Sequence, residues 1–276
     1  MTAVMKAFKK VPLYLLAVLF LVVFGFPFLF VLSTSLKSQM GYMNDVWGPP
    51  TQIFLGNYAK VFTVKFLNYF FNSIVISCLS VGLGIVVASL ASYAFARIPF
   101  RLSKPLFLMF LVGMMIPVHT TLIPVFKLLN NIGLYDSKFA LIGPYVSFAM
   151  PVSIFIITEF FKDVPSEITD AAVIDGCGPF ITYRRIMMPL AAPAIATVGI
   201  YNFLYNWNEF IYALVLINRA AEKTLPLGIR DFYGSETVNI PAVLTAVLVG
   251  SLPVMLFYFF AQEQVINGLS AGAVKA

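Results

Sequence analysis

Very few side chains of this chain could carry out acid–base, nucleophilic or metal chemistry. His119 is the only histidine in 276 residues, so a serine–histidine–aspartate triad would have to use it. The only cysteines, Cys78 and Cys177, do not have metal-ligand spacing, and we expect no disulfide between them. The sequence contains neither a Walker A motif nor a glycine-rich dinucleotide motif. It therefore predicts no catalytic residue, no metal site and no cofactor bound by this chain.

Charge is concentrated instead in residues 162–190, which we call the polar hairpin. Glu167 and Asp170 place negative charge where the first turn of a helix favours it. Gly176 is placed to end that helix, and Pro179 is placed to begin another, since proline suits the first helical turn. The pattern predicts a short helix, a glycine turn and a second short helix.

The first helix of the polar hairpin is predicted to be narrow, because two of its residues have small side chains. Glu167, Ala171 and Ile174 lie at positions i, i+4 and i+7 and share one side of the helix, and Ala172 adds a second small residue. A thin helix with an acidic residue suits a groove on a partner protein. An amphipathic linker that lies on lipid headgroups is the alternative, and the hairpin shape alone does not separate the two interpretations.

The composition places the chain in a membrane. Hydrophobic residues make up 60% of the chain and charged residues 11%, whereas a soluble domain carries roughly 25% charged residues. A water-facing surface could not be built from so few charges. Because the sequence lacks the alternation over about 10 residues that marks the strands of a membrane β-barrel, it predicts an all-α membrane protein.

Six long segments that are almost free of charged residues indicate six transmembrane helices. Each reaches the roughly 20 residues that a helix needs to cross the hydrocarbon core. The polar hairpin lies between spans four and five, residues 263–276 form a tail, and a single transmembrane domain fills residues 1–276. The predicted spans are about 12–35, 70–96, 105–127, 139–160, 191–217 and 241–262.

Basic residues set the predicted orientation of the chain. Three lysines precede the first span, and three basic residues fill the loop between spans two and three, both without an acidic neighbour. By the positive-inside rule, both regions face the cytoplasm. With six spans, the polar hairpin and both termini are then cytoplasmic. The basic residues are Lys6, Lys9, Lys10, Arg97, Arg101 and Lys104.

The predicted fifth span contains a run of polar side chains. Burying an ionisable side chain in a membrane helix is costly, so such a residue is by default a functional candidate. Amides that bond hydroxyl groups and a ring that stacks on a pyranose face suit a carbohydrate. Helix bridging by Asn208 and Glu209, or a position at the outer interface, is the alternative. The predicted substrate pathway consists of Tyr205, Asn206, Trp207, Asn208 and Glu209.

Prolines interrupt several of the predicted spans. Ordinary bundle packing explains them, because neighbouring helices can satisfy the carbonyl groups that a proline frees. The alternative is a set of hinges that let the bundle open alternately to either side. The prolines concerned are Pro27, Pro117, Pro124, Pro151 and Pro253.

The polar hairpin resembles the motif of a known family. Glu167-x3-Ala171-Ala172-x3-Gly176, continuing to Ile186-x2-Pro189-Leu190, is similar to the EAA loop of ATP-binding-cassette importer permeases. Other stretches resemble the MalG-like branch of that family, which serves mainly oligosaccharides and related carbohydrates. They cover nearly the whole chain and include Thr34-Ser35-Leu36-Lys37, residues 72–77, residues 91–97, Ile132-Gly133-Leu134, Trp207-Asn208-Glu209-Phe210 and the tail 268–275.

The resemblance implies a six-helix permease of the type I importer fold in the cytoplasmic (inner) membrane of a bacterium or archaeon. It also implies four further subunits: a second, MalF-like permease, two cytoplasmic ATP-binding subunits and an extracytoplasmic solute-binding protein. ATP and magnesium would be held by the ATP-binding subunits. The polar hairpin would be a cytoplasmic coupling hairpin seated in a cleft of the ATPase. Its candidate contact residues are Glu167, Asp170, Ala171, Ala172, Asp175, Gly176, Arg184 and Arg185.

The predicted function is import of a sugar or oligosaccharide by alternating access, with no enzymatic activity in this chain. Nucleotide and loaded binding protein would each favour one state of the bundle through differential contacts. A polyol, glycerol phosphate or polyamine is the alternative cargo; the net charge of +6 does not decide among them and fits lipid headgroups rather than nucleic acid. An ion-coupled secondary transporter would want inverted repeats and a midplane ion site, and it would leave the polar hairpin unexplained.

Overall fold

The computed structural model describes residues 2–233 and 238–273, with side chains described for residues 13–233 and 238–259. Throughout these residues the chain forms helices and turns without a strand. The α-helices are α1 Thr2–Ser35, α2 Gln39–Asn44, α3 Gly56–Val61, α4 Val64–Arg97, α5 Ser103–Gly113, α6 Leu122–Asn131, α7 Ile142–Asp163, α8 Ser166–Ile174, α9 Pro179–Thr182, α10 Met188–Leu190, α11 Ala192–Asn208, α12 Ile211–Leu216, α13 Leu225–Ile229 and α14 Ile240–Ala273.

The helices provide four to six candidate spans, a range that includes the six predicted. Four helical stretches are long and apolar enough to cross a membrane, and the number rises to six if each of two bent helix pairs forms one span. The four stretches lie in α1, α4, α7 and α14, and the bent pairs are Ser103–Gly113 with Val118–Asn131 and Pro179–Leu190 with Ala192–Asn208. The predicted all-α membrane fold is confirmed. The exact limits of each span in a membrane stay a prediction, as does the single domain over residues 1–276.

Two helices differ from their expected limits. The sequence predicts one continuous fifth span to about residue 217, but α11 ends at Asn208 and α12 begins only after Glu209 and Phe210. Helix α14 continues through Ala273, so most of the predicted tail 263–276 extends the last span without a break. This stretch of the tail contains no proline that would stop the helix. Residues 274–276 lie outside the described residues.

The described residues divide into two compact units, and the first comprises residues 1–67 and 229–252. None of the most apolar 18-residue window of α1 is buried. A helix that is apolar on all sides and unburied suits contact with lipid. The first span therefore gains little packing inside its own unit.

Polar contacts close the end of α1 within the first unit. The side-chain amide of Asn57 donates to the carbonyl oxygens of Ser35 at 2.9 Å and Lys37 at 2.7 Å. The Lys37 ammonium is buried and donates to the carbonyl oxygen of Asp45 at 2.7 Å. These contacts satisfy carbonyl groups that a helix end leaves without an intrahelical partner. The family-like stretch 34–37 thus has a structural role.

The second unit comprises residues 68–228 and 253–276 and contains two hydrophobic cores. One core joins α6, α12 and the start of α7 through side chains such as Leu129, Leu141 and Leu216. The other joins α4, the end of α7 and the second half of the polar hairpin through side chains such as Ile157 and Met187. The two cores hold the two ends of α7.

Span three is broken within the second unit. Helix α5 ends at Gly113, and the next helical segment runs at 96° to it. Pro117 lacks a backbone N–H, so it cannot continue the hydrogen bonding of α5. The last carbonyl groups of α5 accept bonds of the tighter i→i+3 type instead, from Met115 to Val112 at 3.0 Å and from Ile116 to Gly113 at 3.3 Å.

Candidate functional site

The polar hairpin folds as its sequence predicts. Helix α8 ends at a left-handed glycine, Gly176, which has a φ of +79°. The N–H of Gly176 donates to the Val173 carbonyl at 3.0 Å, and the N–H of Cys177 donates to the Ala172 carbonyl at 2.9 Å. This pair of bonds is the Schellman motif, which satisfies the last carbonyls of a helix. Helix α9 then begins at Pro179, so the predicted helix–turn–helix is confirmed.

One face of α8 is free of contacts with the core. Glu167 and Ala171 are exposed, and 86% of Ile174 is accessible. Ala172 faces the other way and is buried. The structure thus brings most of the predicted partner-contact residues to the surface, while their contact with a partner stays a prediction. The remaining members of that set are all exposed, namely Asp170, Asp175, Gly176, Arg184 and Arg185.

Large apolar side chains are also exposed on the polar hairpin. Val173 and Ile174 at the end of α8 and Phe180 and Ile181 in α9 are all exposed. An exposed apolar patch rimmed by polar residues marks a surface that binds another protein or a membrane. The polar hairpin therefore offers charge and apolar surface together.

An arginine of α4 binds the end of α7, where the polar hairpin begins. The guanidinium of Arg97 donates to the carbonyl oxygen of Phe161 at 2.6 Å and to that of Val164. Both carbonyls lie where α7 ends, and a helix C-terminus leaves acceptors unpaired and favours a cation. Arg97, one of the residues used to predict orientation, thus fixes the direction in which the chain leaves α7.

The second half of the polar hairpin returns to the bundle through a π-helical turn, Tyr183–Met187. Met187 is fully buried, and the Tyr183 hydroxyl lies 2.8 Å from the Oγ of Ser89 on α4. The rings of Tyr183 and Tyr93 have centroids 5.5 Å apart. Single π-turns are rare and recur at functional sites. The turn joins the exposed part of the polar hairpin to the core of the second unit.

Glu209 lies at the break between α11 and α12 and accepts hydrogen bonds from three groups. Its Oε1 accepts the N–H of Tyr212 at 2.7 Å, and its Oε2 accepts the N–H of Ala213 at 3.2 Å and the hydroxyl of Tyr145 at 2.8 Å. Free N–H groups at a helix start favour a carboxylate. Glu209 thus caps α12 and ties it to α7, which is the helix-bridging alternative for this residue. Its place in a substrate pathway stays a prediction.

The other predicted pathway residues lie in different surroundings. Trp207 is buried, and its ring stacks on that of Phe203 with centroids 5.6 Å apart. The Asn208 amide donates to a carbonyl one turn back in its own helix at 2.8 Å. Asn206 is buried, and its Nδ2 has no hydrogen-bond partner among the described residues. Tyr205 lines a cavity. The structure therefore does not bring the predicted set together around one space.

The cavity at Tyr205 has a volume of about 500 Å³ and opens between the broken span three, α7 and α11. Tyr201 and Tyr205 line it one helical turn apart, and we call it the tyrosine cavity. Pro151 and Ser147 lie on the wall formed by α7. Small-molecule sites typically measure about 300–1,000 Å³ and combine apolar walls with a few polar groups. The tyrosine cavity meets both conditions.

A larger cavity of about 840 Å³ lies between α4, α11 and α14 in the second unit. Its walls are apolar, with Ile85, Ile200 and Phe257 among them, and no lining residue carries a hydroxyl, amide or charged group. Such walls cannot orient a polar solute. Size alone therefore does not identify the space that a hydrophilic cargo would use.

Asp136 joins the loops that follow α6 and α12, and we call these contacts the aspartate clamp. Its Oδ1 accepts the N–H groups of Arg219 and Asn218, both at 2.7 Å, and its own N–H donates to the Leu216 carbonyl at 3.0 Å. The hydrogen bond from the Arg219 N–H, with help from that of Asn218 and the Arg219 guanidinium, holds the pKa of Asp136 below its ordinary value of 3.8. The clamp fastens the loop after α6 to the loop after α12.

Sequence reasoning missed the residues that accompany Tyr205 around the tyrosine cavity. Tyr201 could have been found from its i, i+4 spacing to Tyr205. Ser147 could have been found from Pro151, because proline has no N–H and leaves the carbonyl four residues earlier without its helical donor.

Within the described ranges, no three His, Cys, Asp or Glu residues form a group that could hold a metal ion. His119 is exposed, close to the bend of span three.

Comparison with solved structures identifies the fold. A bacterial ABC transporter involved in the import of the acidic polysaccharide alginate contains a chain that superposes with a TM-score of 0.83. The two chains share 20% sequence identity, and the match covers 94% of this chain and 96% of that one. The predicted importer permease fold is confirmed by this similarity.

Comparison of sequences identifies the family. Residues 80–266 match the family described as binding-protein-dependent transport system inner membrane component. A putative ABC transporter permease protein of Caldicellulosiruptor sp. (strain Rt8B.4) is 46% identical over 90% of this chain and 91% of its own length. The sulfoquinovosyl glycerol transport system permease protein SmoH of Agrobacterium fabrum is 34% identical over 97% and 95%, respectively. The chain therefore belongs to the family of inner-membrane components of binding-protein-dependent transport systems.

Proposed function

We propose that this chain is one permease subunit of an ATP-driven importer that moves a sugar or oligosaccharide by alternating access. Its partners are a second, MalF-like permease, two cytoplasmic ATP-binding subunits and an extracytoplasmic solute-binding protein. The ATP-binding subunits hold ATP and magnesium, so this chain binds no cofactor and catalyses no reaction. Family membership supports the role in transport.

The polar hairpin carries the proposal that ATP hydrolysis is coupled to this chain. Its exposed face combines the acid Glu167 with the apolar Ile174, which suits insertion into a groove of another protein. Its other end is buried through Met187 and bonded through Tyr183 to α4. A displacement of the exposed part is therefore transmitted to packed helices, because a close-packed core resists compression.

The proposed orientation places the polar hairpin and both termini in the cytoplasm. The basic loop that contains Arg101 and Lys104 follows α4, and the positive-inside rule assigns it to that side. The Arg97 contacts to the end of α7 place this basic loop beside the start of the polar hairpin. The loop and the polar hairpin thus lie on the same side of the bundle.

The compared transporters support a carbohydrate cargo. Sulfoquinovosyl glycerol and alginate, which their names give as cargo, both contain sugar rings. Within this chain, the aromatic rings and hydroxyl groups of Tyr201 and Tyr205 suit the same chemical class. A sugar is therefore the cargo that we propose.

The test of coupling replaces residues of the polar hairpin in the complete assembly. Glu167→Lys reverses the charge of the exposed face, and Gly176→Val strains a turn whose φ of +79° suits glycine. We expect each variant to reach the membrane in normal amounts. Sugar uptake should fall on the order of tenfold or more, as expected for loss of a coupling free energy, while ATP hydrolysis continues.

Lys127→Glu is the matched charge-reversal control, because Lys127 is exposed on α6 outside the polar hairpin. It should leave uptake close to that of the unchanged protein. Normal uptake by both hairpin variants would show that the polar hairpin does not couple the two processes. Sugar accumulation by this chain reconstituted without ATP-binding subunits would overturn the proposal as a whole.

A further inference from the structure

We propose that the tyrosine cavity is a binding subsite for an uncharged carbohydrate, supplied by this chain itself. This inference rests on the proposed function and adds to it the place and the charge of the cargo. The observation behind it is the set of side chains that face about 500 Å³ of space between span three, α7 and α11.

Two tyrosines form one wall of the subsite. Tyr201 and Tyr205 lie at i and i+4 on α11, so both rings face the same side of the helix. Both are about half exposed, and neither hydroxyl makes a hydrogen bond to another of the described residues. A tyrosine in a span usually bonds its hydroxyl when it is buried. These two instead offer ring faces and unused hydroxyl groups to a ligand.

Helix α7 provides hydrogen-bond acceptors on another wall. Pro151 lies inside α7 and has no N–H, so the carbonyl of Ser147 lacks its usual donor four residues later. The Ser147 hydroxyl donates to the Gly143 carbonyl at 2.8 Å and keeps its oxygen as an acceptor. Ser147 is exposed where it lines the tyrosine cavity. A sugar hydroxyl can donate to these oxygens while it accepts from a tyrosine.

The lining residues of the tyrosine cavity carry no charge. The nearest acid along α11, Glu209, already accepts hydrogen bonds from Tyr145, Tyr212 and Ala213. A charged ligand that enters a site without a counter-charge loses hydration that nothing replaces. A neutral, hydroxyl-rich ligand loses only hydrogen bonds that the cavity can make again. The wall chemistry therefore favours a neutral sugar over an acidic one.

The bend of span three and Pro151 of α7 border this space and explain why it exists. The bend of span three contributes Gly113, whose added Cβ would meet the Cγ of Pro151 at 3.4 Å. The close approach of these two residues brings the end of α5 against α7, and the chain beyond the bend turns away at 96°. The room left by that turn lies in front of Tyr205. The subsite thus follows from the proline and glycine positions of α5 and α7.

The test measures sugar protection of a cysteine placed in the tyrosine cavity of the complete assembly. The native thiols are removed by Cys78→Ala and Cys177→Ala, and Val152→Cys adds one thiol to the cavity wall. Maltotriose, raffinose and trehalose are the neutral probes, and trigalacturonate is the acidic probe. We expect at least one neutral probe to slow maleimide labelling of this thiol, and trigalacturonate to leave the rate unchanged.

Tyrosine variants then connect the protection to the proposed hydroxyl contacts. Tyr201→Phe and Tyr205→Phe should each raise the sugar concentration that gives half-maximal protection of the thiol. The expected increase is about twofold to tenfold, as for the loss of one hydrogen bond. Tyr258→Phe is the matched control, because Tyr258 is exposed on α14 and does not line the tyrosine cavity. Met109→Cys provides an exposed thiol on α5 outside the cavity, and sugar should not protect it.

Uptake by the same assembly separates this inference from the proposed function. ATP-dependent uptake of a probe without protection of the thiol at position 152 would overturn the subsite and leave the importer function standing. Protection by trigalacturonate as strong as that by a neutral sugar would overturn the assignment of an uncharged ligand. Absence of ATP-dependent uptake for every sugar tested would overturn the proposed function itself.

Discussion

The second unit breaks two of its membrane helices, and it does so by two different physical means. Span three turns by 96° after Gly113, where Pro117 prevents the helix from continuing. Span five stops at Asn208 and restarts as α12 two residues beyond, with the Glu209 carboxylate bonded to the new helix. At the first break the last carbonyl groups of α5 are satisfied within span three, and just beyond it the Val118 carbonyl accepts the Tyr212 hydroxyl of α12 at 3.1 Å. The second break depends on the Glu209 side chain and its partner on α7.

The side chains around the two breaks also differ in how far they are buried. At the bend of span three, Met115 is 80% accessible, and the carbonyl groups are satisfied by residues three positions later. At the break of span five, Tyr145 and Tyr212 are almost fully buried around Glu209. The bend itself is exposed and locally satisfied, and its polar contact to another helix lies just beyond it, where the Tyr212 hydroxyl donates to the Val118 carbonyl at 3.1 Å. We therefore infer that the bend of span three depends less on buried polar contacts than the break of span five does.

The largest effect should come from removing the carboxylate at the second break. Glu209→Ala leaves the Tyr145 hydroxyl and the Tyr212 and Ala213 N–H groups without their acceptor. Leaving buried donors unpaired costs about 1–3 kcal/mol each, so a loss of about 3 kcal/mol is expected. The midpoint of thermal unfolding in detergent should fall by roughly 6–12 °C. Glu209→Gln, which keeps an acceptor oxygen, should lose less.

Removal of the hydroxyl at the same break should have an intermediate effect. Tyr145→Phe deletes one hydrogen bond to Glu209, a 2.8 Å contact, and leaves the cap of α12 in place. We expect a loss of about 1.5 kcal/mol, since hydrogen bonds to charged groups contribute about 1.5–3 kcal/mol. The double variant with Glu209→Ala should be little worse than Glu209→Ala alone, because both changes remove the same contact. Additive losses would contradict the direct link.

A change at the first break should affect stability less. Pro117→Ala removes the proline from span three, where the bend is already satisfied by local bonds. The expected cost is about 1 kcal/mol or less and arises from the greater freedom of the unfolded chain. The same unfolding measurement checks it. A loss as large as that of Glu209→Ala would show that the two breaks do not differ in the way described.

The smallest effect should arise at the aspartate clamp and should depend on pH. The folded state holds the pKa of Asp136 below its ordinary value of 3.8, mainly through the N–H of Arg219. A group with a depressed pKa stabilises the fold above its unfolded pKa and loses that contribution as the pH falls through the folded pKa. Asp136→Asn should therefore unfold at a lower temperature than the unchanged protein at pH 7, and the difference should shrink below about pH 3.8.

The polar hairpin was predictable because its signals are local. Gly176 and Pro179 set the turn and the new helix by their own backbone preferences, and both act as the sequence predicts. The six spans were predictable for a similar reason, since the length of an apolar segment does not depend on its neighbours. Fold class and hairpin shape therefore follow from the chain read one segment at a time.

The tyrosine cavity and the role of Glu209 were not predictable in the same way. Glu209 was singled out as an ionisable residue in a span, but its partner Tyr145 lies 64 positions earlier in the chain. The break after Asn208 had a signal, an acid just before the apolar run 211–216, yet the same acid also suits a substrate site. Ser147 on α7 faces the same space as Tyr205 on α11 only because both helices lie beside the bend of span three. Tertiary contacts decided these points.

The unburied first helix has a consequence for how the chain enters the membrane. The apolar window of α1 has none of its residues buried, whereas half of the window of α7 is buried. An apolar segment that packs little against the rest of its own chain can partition into the bilayer without those neighbours. Helix α7 buries polar side chains such as Ser153 and Thr158 against neighbouring helices. Its stable insertion therefore requires those helices to be present. Helix α1 can therefore insert on its own, whereas α7 inserts together with the helices that cover its polar side chains.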